Sequence, residues 1–232
     1  RSSEAANMIG HLCATLLLPH FTRLLTNRED VRPLARSISP VLLTEGAAIA
    51  WASWYFPESF MQMFYEHEVL AAAEILPWLM ISFAIFAQGY VFSTLLTARG
   101  DMRVLNQMAG AGAVLNIALN AWWLGQASAT TGGLGCAIIS AITQGAMVAG
   151  QIYFCLRHHP GSEWWKLLRA LAIHSLACFA ICSIALRFVN NPLKAFWFVL
   201  IGCLVAGLIP GVIDFRSIRK MLSEKMNTFA DS

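Results

Sequence analysis

Residues 104–125 and 133–156 contain no Asp, Glu, Lys or Arg. About 20 helical residues, rising 1.5 Å each, cover the ~30 Å hydrocarbon core of a bilayer, so each stretch is long enough to cross one. A surface helix of a soluble domain needs a charged or polar face, which these runs lack. Composition extends the argument to the whole chain: 57% of its 232 residues are apolar and 12% charged, against roughly a quarter charged in ordinary soluble domains. These features predict an all-α integral membrane protein with about seven transmembrane helices.

The expected spans are 5–25, 37–56, 71–96, 104–124, 133–156, 165–188 and 193–213, forming one helical lobe over 1–213 with a polar tail over 214–232. No connection exceeds about 15 residues, which leaves no room for an extramembrane domain. Pro19 is expected to kink or stop the first span. Thr26-Asn27-Arg28-Glu29 has capping-box spacing and predicts a short surface helix before the second. Pro77 and Gly46 fit the bent helices of transporters, and also the ordinary composition of membrane helices. Gly207 and Gly211 have GxxxG spacing, but Pro210 beside them points to a helix end. Residues 1–4 lack a signal-peptide layout and run straight into an apolar segment. The chain is therefore expected to be truncated.

Orientation follows from Lys and Arg. Thirteen lie on one side: Arg23, Arg28, Arg32 and Arg36, then Arg99 and Arg103, Arg157, Lys166 and Arg169, and finally Arg216, Arg219, Lys220 and Lys225. The other side holds Arg1, Arg187 and Lys194, and the acidic Glu58, Glu66 and Glu68. The positive-inside rule puts the first group and the C-terminus in the cytoplasm. Trp51, Trp54, Trp78, Trp122, Trp123 and Trp197 mark the outer boundary, and Trp164 and Trp165 the inner one. Amphipathic indoles favour that depth. A net charge of +3, dispersed around helix ends, suits no nucleic-acid partner.

Few polar groups lie inside the spans. Glu45 is eight residues past Ser37, roughly 12 Å into its helix. An ionised carboxylate at such depth costs at least about 3 kcal/mol. It is either a proton- or cation-responsive group in a transport pathway or a protonated or paired structural carboxylate. Ala48 and Ala52 offer a small-residue face where a neighbouring helix can approach. Asn116 and Asn120, with Gly112 a turn earlier, form a stripe suited either to interhelical hydrogen bonds or to substrate contact. Ser140, Thr143 and Gln144 form a similar face, as does Gln88 with Ser82.

The six cysteines lie in or beside apolar segments and form no disulfide framework. Cys178 and Cys182, one turn apart, could share a soft metal, yet no further ligand is evident nearby in sequence. His158-His159 belongs to a solvated turn, and Arg99-Gly100-Asp101 is a tight cytoplasmic turn. HExxH, GxSxG, phosphate-loop and CxxC motifs are absent from the sequence. Neither a catalytic set, a metal nor a cofactor is expected.

Several local patterns together resemble one family. Leu18-Pro19-His20-Phe21-Thr22-Arg23 precedes Met63-Phe64-Tyr65-Glu66, and Leu95-Leu96-Thr97-Ala98-Arg99-Gly100-Asp101 follows. Ala113-Val114-Leu115-Asn116-Ile117-Ala118-Leu119-Asn120 then leads into Gly132-Gly133-Leu134-Gly135-Cys136-Ala137. The chain is similar to the C-terminal half of a lipid-linked oligosaccharide flippase of the multidrug/oligosaccharidyl-lipid/polysaccharide exporter superfamily. The resemblance implies helices 8–14 of a 14-helix, two-lobe exporter in the bacterial inner membrane. Its cargo would be an undecaprenyl-pyrophosphate-linked glycan, and its partners the missing N-terminal lobe and membrane lipid. An even-numbered first helix descends from outside to inside, in agreement with the arginine count. Alternatives are a multidrug exporter of the same superfamily, or a membrane-embedded glycan polymerase or acyltransferase. The cavity arginines of the family belong to the other lobe, so none is carried over.

Overall fold

The structure, a computed structural model, describes residues 17–62, 69–127, 131–158 and 163–207. Among these no strand occurs. The helices are α1 (17–26), α2 (Arg32–Tyr55), α3 (Pro57–Met61), α4 (Val69–Arg99), α5 (Met102–Leu124), α6 (Gly132–His158), α7 (Glu163–Phe188) and α8 (Pro192–Ala206). Two stretches, Val69–Arg99 and Gly132–Cys155, are long and apolar enough to cross a membrane, and Ala172–Phe188 and Pro192–Ala206 are shorter apolar helices. α2 and α5 fall short of that apolarity because α2 carries Arg32, Arg36 and Glu45 and α5 carries four carboxamides, Asn106, Gln107, Asn116 and Asn120.

At the first junction the structure excludes a stop at Pro19 and the short surface helix. Pro19 does not end its helix, for α1 continues to Thr26. No surface helix follows. Arg28 adopts φ +58, and its N–H bonds Leu25 O while that of Glu29 bonds Leu24 O, a left-handed cap that satisfies the last carbonyls of α1. The Thr26 hydroxyl donates back to Thr22 O instead of capping forward. α2 then starts at Arg32, five residues before the expected Ser37, with Asp30 accepting the Arg32 N–H. Glu45 thus occupies the middle of α2. The same cap closes α4, where Gly100 at φ +83 sends its N–H to Thr97 O and Asp101 sends its own to Leu96 O. Only glycine holds that φ without strain, and the tight turn expected at Arg99-Gly100-Asp101 is present.

Asn191 caps α8 by accepting from the N–H groups of Leu193 and Lys194, with Pro192 at the first position. α8 ends at Gly207, which packs on Thr44 of α2. The short α3 was not foreseen. Residues 5–16, Met63 to Glu68, His159-Pro160, Pro210, Gly211 and the tail 214–232 lie outside the described residues, as do the side chains of Trp164 and Trp165.

α4 lies between α2 and α6; α5 leans on the far side of α6, and α7 and α8 on the far side of α2. One apolar cluster joins Leu17 and Phe21 of α1 to Leu34, Phe92, Leu96 and Cys155. A second joins Ala48 and Ala52 of α2 to Cys178 and Cys182 of α7 and Phe196, Val199 and Cys203 of α8. The small-residue face beside Glu45 therefore does receive neighbouring helices. Gly46 makes the other α2 contact: a Cβ there would lie 2.8 Å from both Cα and Cβ of Ala84, so the α2 and α4 backbones meet at this glycine. Trp54 of α2 meets Trp78 of α4 edge-on, with ring centroids 5.5 Å apart.

Candidate functional site

The polar candidates separate into two seams. Between α2 and α4, Ser39 Oγ donates to Gln88 Oε1 at 2.6 Å and Gln88 Nε2 donates to Ser39 O at 2.9 Å. Both side chains are buried, so the Gln88 amide is engaged at both its oxygen and its nitrogen. The polar face expected to join Gln88 with Ser82 does not carry both residues toward one partner. Positions six apart lie on different sides of a 3.6-residue helix, and Gln88 faces α2 instead.

Between α5 and α6, Asn116 Nδ2 donates to Thr143 Oγ1 at 2.9 Å, and Asn120 Nδ2 donates to Asn116 Oδ1 at 3.0 Å. The Thr143 hydroxyl in turn reaches the carbonyls of Ile139 and Ser140. This is an interhelical ladder, the first of the two roles open to the Asn stripe. Its end is incomplete, since Asn120 Oδ1 is buried without a partner. Gly112 lets the Met147 side chain of α6 lie directly on the α5 backbone. Gln144 is half-buried beside this ladder in sequence but takes no part in it.

Glu45 stands apart from both seams. It is half-buried on α2, and among the described residues no hydrogen bond or ion pair reaches it. Its neighbours Thr44 and Gly46 are committed to α8 and α4 respectively. The Glu45 side chain is thus carried by a stretch of helix docked on both sides. Glu45, Gln88, Asn116, Asn120 and Gln144 do not converge on one point, and the chemistry available is that of a hydrogen-bonded scaffold bearing one free acid.

A further polar group escaped the sequence reading. Cys178 and Cys182 have neighbours after all: His174 lies one turn before Cys178, with Nε2 3.4 Å from its sulfur, and Cys203 arrives from α8 with its thiol against both. The four-residue spacing of His174, Cys178 and Cys182 was the available signal; Cys203 carried none. Among the described residues no three His, Cys, Asp or Glu groups are placed to hold a metal ion. Among the described residues, the other buried atoms without partners are Thr44 Oγ1, Ser53 Oγ, Trp123 Nε1, Gln151 Oε1, His174 Nδ1 and the terminal nitrogens of Arg99. No family model, no curated protein and no solved structure matches the chain.

Proposed function

We propose that this chain crosses a membrane as a lobe of about seven helices and acts as the second half of a lipid-linked oligosaccharide flippase. The observation that carries the membrane part is the distribution of side chains. Phe188 is 78% exposed, Leu176 71%, and Val114 and Ile117 68% each, while Gln88, Thr143, Gln151 and His174 are buried. Water penalises such a surface by roughly 25 cal/mol for each Å² of apolar area left exposed. Hydrocarbon imposes no such penalty, and it drives polar groups inward to find one another, as the two seams do.

The glycan-lipid part rests on the residue patterns shared with the exporter superfamily. In this reading the lobe sits in a bacterial inner membrane with the α4–α5 turn on the cytoplasmic side. It rocks against a partner lobe, so that a pyrophosphate-linked glycan is exposed first to one side and then to the other. No bond is made or broken. In this reading Glu45 is the pathway group that responds to a proton or cation.

The test uses proteoliposomes holding the chain together with its upstream lobe and a fluorescent undecaprenyl-linked oligosaccharide. Glu45→Gln is expected to slow translocation about tenfold, equivalent to ~1.4 kcal/mol on the barrier, with insertion unchanged. An unaltered rate removes Glu45 from the mechanism. Export of a lipophilic cation without glycan movement moves the chain to the multidrug branch, and extraction from membranes by alkaline carbonate refutes the membrane reading itself.

A further inference from the structure

The cysteines behave in two ways. Cys155 is buried alone and directs its thiol to the carbonyl of Phe92 at 3.9 Å. Cys178, Cys182 and Cys203 are fully buried and meet one another in the seam where α7 and α8 pack against α2. Ala48, Ala52, Ala185 and Ala195 share this cluster with Phe196 and Val199, so the three thiols lie in one apolar seam. His174, 1% exposed, adds a base: Nε2 touches Cys178 Sγ at 3.4 Å, and Nδ1 has no partner. With the ring proton on Nδ1, Nε2 accepts from the Cys178 thiol.

Thiol nucleophiles need a base and a second sulfur to make a disulfide. Both are present, and a single thiol on α8 faces two on α7 at successive turns. We propose that these groups form a redox latch, in which Cys203 is joined to Cys178, with Cys182 as the alternative partner, by an oxidant of the lipid-soluble quinone class. Cys178 gives its proton to His174 Nε2, and an S–S bond replaces the two S–H bonds. The two electrons and two protons reduce the quinone to hydroquinone. The bond pins α8 to α7 and with them the face that receives Ala48 and Ala52 of α2. Burial selects the oxidant, because reagents confined to water do not reach sulfurs walled in by apolar helices. The latch goes beyond the transport reading and takes from it only this choice of oxidant.

The test treats the full chain, reconstituted in phosphatidylethanolamine–phosphatidylglycerol vesicles, with duroquinone, whose fully substituted ring cannot be alkylated by thiols. Peptide mapping should find Cys203 joined to Cys178 with two hydrogens lost, and dithiothreitol should reverse the bond. Cys178→Ala should transfer the bond to Cys182, and Cys203→Ala should abolish it. His174→Gln should slow its formation about tenfold near neutral pH and leave a rate that climbs with pH as hydroxide replaces the lost base; an unchanged rate removes His174 from the latch. Failure of Cys203 to join either partner in the unsubstituted chain overturns the proposal. A bond formed as readily by water-soluble ferricyanide keeps the latch and refutes the membrane reading, so the two fail separately.

Discussion

α4 and α5 are consecutive helices joined through the turn at Gly100 and Asp101, yet they are held very differently. α4 buries ten of its 31 residues, whereas α5 buries only Gly112. α4 has α2 on one side and α6 on the other, so Gln88 finds a full partner and Gly46 brings two backbones together. α5 leans on α6 and touches α4 lightly. In hydrocarbon an exposed apolar face carries no penalty, and adhesion between helices comes from close packing and hydrogen bonds alone. The difference makes α4 the central helix of the described bundle and α5 the more loosely packed one.

The strongest way to break this comparison is at the α2–α4 contact. Gly46→Ala places a methyl against the Ala84 backbone, which cannot swing aside, and should cost about 1–3 kcal/mol in reversible unfolding in mixed micelles. A neutral result would mean that the two helices do not meet there. Next is Gln88→Leu, which removes both bonds to Ser39 and should cost about 1–2 kcal/mol in the same measurement. On the α5 side, a double-mutant cycle of Asn116→Ala with Thr143→Ala should give a coupling of only about 0.6 kcal/mol. A value near zero would leave α5 without a polar tie. The smallest effect belongs to Gly112→Ala, a few tenths of a kcal/mol, because the flexible Met147 thioether can move away. A loss as large as that at Gly46 would erase the distinction between the two helices.

Helices were legible in the sequence wherever an apolar run was bounded by strong punctuation. Asn191-Pro192 starts α8 and Gly100 ends α4, and both boundaries fell within three residues of expectation. The junction between α1 and α2 was misjudged because its terminator, Arg28 in the left-handed conformation, is a residue type that seldom takes that role. Glu45, Gln88, Asn116 and Asn120 stood out as costly groups in apolar surroundings. Whether each was paired did not.

By itself the sequence determined that the described chain is helical and the rough extent of its helices, because length, apolarity and capping residues act within a few neighbours along the chain. Only the tertiary structure decided which groups meet. It paired Gln88 with Ser39, tied Asn116 to Thr143, brought Cys203 to the two α7 thiols, and left Glu45 alone. Helices such as α4 and α8 are apolar on every side, so their sequences do not encode which face turns inward. That choice is made by glycine contacts and polar partners on other helices, often dozens of residues away.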